Sequence, residues 1–108
     1  SDIVYTNESK KLLLNDENTN FEDWEELTYN LTEASLNKYK SNVALTILGE
    51  AGPISSSKYP VGTIFICISN GEKTVISDHK MNGNRAEILE RAGNKAQWEL
   101  IKFIKNLY

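Results

Sequence analysis

The chain of 108 residues has a formal net charge of -3, and 40% of its residues are hydrophobic. This length and composition predict a single domain over residues 1–108, with one core of modest size. The acidic balance argues against nucleic-acid binding, and the apolar runs are far shorter than the ~20 residues that a membrane span needs. One cysteine excludes an internal disulfide and, with one histidine, leaves too few ligands for structural zinc. We therefore expect no metal and a reducing, cytoplasmic location.

The first half of the chain predicts a strand, two helices and a second strand. Residues 3–5 are β-prone, and Thr6 or Asn7 can cap a short helix over residues 8–14. A longer helix is predicted over residues 21–40. Its core stripe, at three- and four-residue spacing, comprises Trp24, Leu27, Leu31, Ala34 and the stem of Lys38. The almost wholly apolar residues 43–48 predict a buried strand.

The second half predicts a hairpin and a terminal helix. Residues 64–69 form another apolar run, and Asn70-Gly71 joins it to an antiparallel strand over residues 73–79. Asn84 is a good helix cap, and Glu87 completes a pattern typical of a capping box. The apolar face of the last helix is predicted to hold Leu89, Ala92, Gly93, Ala96, Leu100, Phe103, Ile104 and Leu107.

The two apolar strands indicate the fold class. Strands without polar alternation are buried on both faces, so helices must cover both sides of the sheet. The predicted element order β-α-α-β-β-β-α therefore fits an α/β fold, a three-layer α/β/α arrangement with a mixed sheet.

Three blocks of sequence resemble the C-terminal domain of the competence/damage-inducible CinA family, the nicotinamide-nucleotide amidohydrolases. Residues 4–10, Val-Tyr-Thr-Asn-Glu-Ser-Lys, resemble the family's Val-Tyr-Ser-Asn-Glu-Ala-Lys. Residues 43–53 and 59–63 are similar to its apolar strand, Gly-Pro turn and Pro-Val-Gly-Thr strand start. Residues 83–85, Gly-Asn-Arg, resemble the Gly-Asp-Arg that opens its last helix. The blocks occur in the family's order and span nearly the whole chain.

The resemblance implies an activity and a set of site residues. The activity is hydrolysis of the carboxamide of nicotinamide mononucleotide to the acid and ammonia, with no cofactor and a small nucleotide as the partner. Lys10 is the implied general base, and Tyr5 would hydrogen-bond the base or the reacting oxygen. Gly49 and Gly52 would shape the pocket with their backbone N–H groups, and Arg85 at a helix start would hold phosphate. Each has a plainer alternative: an exposed lysine, a packed tyrosine, turn glycines and a surface arginine.

The departures from the family pattern leave the function open. Family members carry a helix that opens with Glu-Ser-Cys-Thr-Gly-Gly and holds the proposed serine nucleophile, upstream of the tyrosine block. These 108 residues contain no such segment, so the chain resembles a member shortened at the N-terminus, with no activity expected of it alone. Leu48 replaces a threonine and Asn84 an aspartate. The alternatives are a non-catalytic relative with a nucleotide-binding or assembly role, or an unrelated small interaction module. Loss of a helix would expose apolar sheet surface, so we expect a homo-oligomer.

Overall fold

Four strands and two helices make up the part of the chain that the structure describes. The structure is a computed structural model and describes residues 2–4, 23–39, 42–52 and 58–106. The elements are, in chain order, β1 (Asp2–Val4), α1 (Trp24–Tyr39), β2 (Ala44–Gly49), β3 (Thr63–Ser69), β4 (Thr74–Lys80) and α2 (Arg85–Lys105). The short helix predicted over residues 8–14 lies outside the described residues, as do Tyr5 and Lys10.

The strands form one mixed sheet in the order β1-β2-β3-β4. β1 runs parallel to β2, whereas β2, β3 and β4 are successively antiparallel. The predicted hairpin between β3 and β4 is confirmed. The Asn70 side-chain oxygen accepts hydrogen bonds from the Glu72 and Lys73 N–H groups at 2.9 and 2.8 Å, and Gly71 has a φ of 91°. The turn therefore uses asparagine to satisfy backbone donors and glycine to take the positive φ.

Each helix covers one face of the sheet, which confirms the predicted three-layer α/β/α fold. Alternate residues of a strand point to opposite faces, so Leu45 and Ile47 meet α2 while Leu48 meets α1. The α2 side of the core contains Leu45, Ile47, Ile64, Ile66, Ile68, Ile88, Ala92, Ala96 and Phe103. The α1 side contains Trp24, Leu27, Leu31 and Leu48, with Tyr59 and Phe65 packed against them. No helix among the described residues combines the length and the apolar character needed to span a membrane.

α1 buries a stripe of hydroxyl groups that the sequence prediction missed. Thr28, Thr32 and Ser35 are fully buried, whereas Lys38 is exposed and its stem does not extend the core as predicted. The Thr32 hydroxyl lies 2.8 Å from the Thr28 carbonyl oxygen and 2.7 Å from the Thr46 hydroxyl of β2. A hydroxyl has one proton, so Thr32 donates to that carbonyl and accepts from Thr46. These bonds remove the cost of burying the hydroxyl groups.

The buried Ser35 hydroxyl is expected to lower the stability of the fold. Its Oγ is buried and has no hydrogen-bond partner in the described part of the chain. We expect Ser35→Ala to raise the free energy of unfolding by up to about 1 kcal/mol, because it removes a desolvated polar group without leaving another unpaired. Thr32→Val, which strips Thr46 of its acceptor, should instead lower that free energy by about 1–2 kcal/mol. Urea unfolding of both variants measures the difference, and a loss of stability in Ser35→Ala would show that its hydroxyl has a partner.

α2 is rotated by about one residue from its predicted orientation. Its buried residues are Ile88, Ala92, Ala96, Glu99 and Phe103. Leu89 and Ile104, predicted to be buried, are 53% and 67% exposed. Two apolar residues stand side by side at 88 and 89, and the predicted pattern took the second. The buried face of α2 also includes Glu99, whose charge is balanced by Lys95 at 3.4 Å and Lys102 at 3.6 Å.

Candidate functional site

An apolar cavity of about 310 Å³ opens beside the carboxyl end of β2, on the face that α2 covers. It is lined by Ile47, Gly49, Ala51, Ile64, Leu89, Ala92 and Gly93. Its volume lies at the small end of the range found for ligand pockets, which are mostly apolar with a few polar groups placed at the edge. Residues of β2, β3 and α2 all contribute to its walls. The cavity is therefore a feature of the packed fold and not of one loop.

Gly49, one of the predicted pocket residues, forms part of one wall of this cavity. It is the last residue of β2, and a Cβ atom built on it would collide with the Cδ1 atom of Ile64. The absence of a side chain lets Ile64 reach across the end of β2 and leaves the space beside it open. Glycine at position 49 therefore serves two purposes: it makes room for the Ile64 side chain, and it keeps the cavity open.

Arg85 and Gly52 contact each other next to two lining residues of the cavity, Ala51 and Leu89, and we call this contact the rim of the cavity. One guanidinium nitrogen of Arg85, Nη1, donates to the Gly52 carbonyl oxygen at 3.1 Å. Gly52 has a φ of 77°, a left-handed conformation that turns the chain after Ala51, and Ala51 itself lines the cavity. Leu89, one helical turn after Arg85, also lines the cavity. The structure therefore brings the predicted residues Gly49, Gly52 and Arg85 to one edge of the fold, with an exposed guanidinium beside an apolar space.

The capping box at the start of α2 places a carboxylate at the helix end. The predicted capping box is present: the Asn84 side chain accepts from the Glu87 N–H, and Glu87 Oε1 accepts from the Asn84 N–H, each at 2.9 Å. Arg91 lies 3.5 Å from the other oxygen of Glu87. Because this negative charge stands at the helix end, an anion at the rim would be recognised by the Arg85 guanidinium and not by the helix terminus.

The Leu48 position does not face the cavity. Its side chain is 4% exposed and packs with the Trp24 cluster on the α1 face. Tyr59 closes that cluster: its ring centroid lies 4.6 Å from that of Trp24, and its hydroxyl accepts from the Trp24 N–H at 3.1 Å. The loss of a threonine hydroxyl at position 48 therefore bears on the α1 core, and sequence reasoning missed the Tyr59 contact because no local pattern marks it.

Cys67 has no role in this cavity. It is fully buried in β3, and burial raises the pKa of its thiol to about 11. The thiol stays protonated near neutral pH, and a protonated thiol is a poor nucleophile. Cys67 is therefore a small buried residue of the core.

The two predicted catalytic residues lie outside the described residues. Val4 pairs with Thr46 in the parallel ladder of β1 and β2, and Tyr5 is the next residue in the chain. Thr46 stands three residues before Gly49 in β2. Lys10 and Tyr5 remain predictions.

Comparisons with known proteins identify the family. The model of the CinA C-terminal domain matches residues 1–104. A CinA-like protein of Syntrophomonas wolfei is 30% identical over 107 residues, which are 94% of this chain and 26% of that protein. A CinA-like protein of Petrotoga mobilis is 27% identical over 115 residues, covering 98% of this chain and 28% of that protein. The chain thus spans about a quarter of the length of these relatives.

Solved structures show the same fold. A CinA superfamily protein from Enterobacter cloacae aligns with a TM-score of 0.79 at 20% identity, covering 92% of this chain and 62% of that one. The competence/damage inducible protein CihA from Agrobacterium tumefaciens aligns with a TM-score of 0.73 at 21% identity, covering 89% and 62%. Because the family model matches residues 1–104, almost the whole of these 108 residues, this chain belongs to the CinA C-terminal domain family.

Proposed function

We propose that this domain binds a nicotinamide mononucleotide-like ligand, with the flat ring in the apolar cavity and the phosphate on Arg85. The observation that supports this most directly is the exposed Arg85 guanidinium at the rim of that cavity, held at 3.1 Å by the Gly52 carbonyl. That bond uses one of the five N–H donors of the guanidinium, and the others suit the planar, charge-assisted recognition of a phosphate. The Gly52 contact also orients the side chain before any ligand arrives.

We further propose that the family chemistry is carboxamide hydrolysis with Lys10 and Tyr5 at the reacting group, as the sequence resemblance implies. A lysine acts as a general base only when its pKa is lowered toward neutrality. The serine nucleophile of the family motif is not among the 108 residues, so the isolated chain is expected to bind the nucleotide without releasing ammonia. Steady ammonia release by the purified chain would contradict this expectation and would require another nucleophile.

Calorimetric titration tests the binding mode. We expect the chain to bind nicotinamide mononucleotide at least about tenfold more tightly than nicotinamide riboside, because only the mononucleotide offers a phosphate to Arg85. Arg85→Ala should weaken binding of the mononucleotide to the level of the riboside and leave the riboside unchanged. Arg91→Ala is the matched control, since it removes the same charge from the same helix, from a side chain that contacts Glu87 and Asn82.

Two results would count against this proposal. Equal affinities of the original chain and Arg85→Ala for the mononucleotide would remove Arg85 from the site. If neither ligand binds at the highest concentration tested, the cavity does not bind this nucleotide.

A further inference from the structure

α2 exposes a row of large apolar side chains on the side that faces away from the sheet. Leu89 is 53% exposed, Trp98 52%, Ile101 43% and Ile104 67%. Single exposed apolar residues are ordinary, and Leu89 borders the cavity, but Trp98, Ile101 and Ile104 follow one another at three-residue spacing and form a continuous patch of the kind that marks an interaction surface. Residues 93, 97, 101 and 104 follow one another at three- and four-residue spacing, so Gly93, Gln97, Ile101 and Ile104 lie along one line of the helix.

The charges on this line are arranged with opposite signs at its two ends. Glu90 precedes Gly93 by three residues, and Lys105 follows Ile101 by four. Both side chains are exposed, and neither makes an ion pair with any of the described residues. A second helix of the same sequence lying antiparallel would bring its lysine to this glutamate and its glutamate to this lysine.

We propose that α2 binds α2 of a second copy of this chain, antiparallel and about a two-fold axis near Gln97. Such an interface is isologous, because each copy offers the same face. In this register Ile101 of the second copy lies over Gly93, and Lys105 of the second copy lies within one residue, about 1.5 Å along the axis, of the level of Glu90. The space above Gly93 is open as far as the described residues go, since a Cβ atom built there meets none of their atoms within 4 Å. Gly93 therefore offers a hole for the isoleucine, and the two Gln97 amides meet at the axis.

The interface borders the proposed nucleotide site but does not rest on it, and Ile101 of the second copy and the ring of the ligand would compete for the space beside Gly93. Leu89 and Gly93 also line the cavity, so the second copy would cover part of its opening. α2 ends at Lys105, which lies level with Leu89 of the first copy in this register, so Arg85 stays outside the contact. The test is made without any nucleotide, and its failure leaves the binding of nicotinamide mononucleotide by Arg85 untouched.

Charge reversal with sedimentation velocity tests the interface. We expect the original chain to form a dimer as its concentration rises. Glu90→Lys should raise the dissociation constant about tenfold, because symmetry turns two attractions into two repulsions. Lys105→Glu should do the same, and the double variant Glu90→Lys with Lys105→Glu should regain the original affinity. Glu25→Lys, which changes the charge equally on exposed α1, is the control that should leave the dimer unchanged.

An apolar variant checks the same interface by another route. Ile101→Ser should abolish the dimer. At a concentration low enough for the original chain to be monomeric, it should change the unfolding temperature little, because this side chain is 43% exposed in the single chain. A chain that stays monomeric at high concentration overturns the proposal. So does a dimer that both single charge reversals leave intact, since it would use another surface.

Discussion

Gly62→Ala is expected to lower the free energy of unfolding by about 3 kcal/mol or more. Gly62 has a φ of 97°, and a Cβ atom built there would collide with the carbonyl oxygen of Met81. That oxygen belongs to the backbone and cannot swing aside as the end of a side chain can. The neighbouring backbone is held as well: the Gly62 N–H donates to the Glu50 carbonyl at 2.6 Å, and the Met81 N–H donates to the Gly62 carbonyl at 2.8 Å. Relief of the collision must therefore break one of these bonds or move β4.

The hairpin glycine provides a matched control for this variant. Gly71 has a φ of 91°, almost the same as Gly62, but a Cβ atom built on it meets no atom of the part of the chain that the structure describes within 4 Å. Gly71→Ala should therefore cost only the left-handed backbone penalty, roughly 1–2 kcal/mol. Urea unfolding of both variants separates the conformational cost from the collision. Equal losses would show that the Met81 carbonyl yields at little cost.

Gly62 also supports the backbone next to the candidate site. The Gly62 bond to Glu50 fixes the chain just before Ala51 and Gly52, which form the wall and rim of the cavity. Arg85 in turn donates to Gly52. A distortion at Gly62 is therefore expected to disturb the rim as well as the sheet, although Gly62 itself lies outside the cavity lining.

Local patterns predicted the elements whose physical causes are local. The apolar runs at residues 43–48 and 64–69 identified the two central strands, since only strands covered on both faces avoid polar alternation. Asn70-Gly71 and the pair of Asn84 and Glu87 predicted a hairpin and a capping box because these residues satisfy backbone groups a few positions away. The family resemblance then placed Gly49, Gly52 and Arg85 in blocks that the fold brings to one edge.

Features that depend on contacts distant in sequence were missed. The rotation of α2 could not be read from adjacent residues Ile88 and Leu89, because either could point to the sheet until the sheet is present. No local pattern marked Thr32 as buried, and one of its two hydrogen-bond partners, Thr46, lies on another element. The hydrogen bond from Arg85 to the Gly52 carbonyl, which joins the start of α2 to the end of β2, was also missed. Each of these outcomes is decided by a partner on another element or by a side chain folding back on the helix.

Gly93→Leu is expected to stabilise the fold while removing nucleotide binding. Gly93 lies within α2 and lines the cavity, and a side chain added there enters open space. Replacing a helix glycine should contribute about 1 kcal/mol of stability, and a leucine would also bury apolar surface against Leu89 and Ala92. The same side chain would take up room in a cavity of about 310 Å³ that the ring of the ligand needs. We expect the affinity for nicotinamide mononucleotide to fall by at least about tenfold. The fall should exceed that of Arg85→Ala, which removes only the phosphate contact.

Gly93→Ala isolates the volume effect, since it supplies the same gain in helix propensity with a single methyl group. It should raise the unfolding temperature and keep most of the binding. Because Gly93 also lies on the face proposed for self-association, both substitutions are best measured again in the Glu90→Lys background, where the second copy is displaced. Loss of binding by Gly93→Leu in that background places the ligand in the cavity itself. Retained binding there, with the fold stabilised, would mean that the nucleotide binds elsewhere and that this cavity is a packing feature of the three-layer fold.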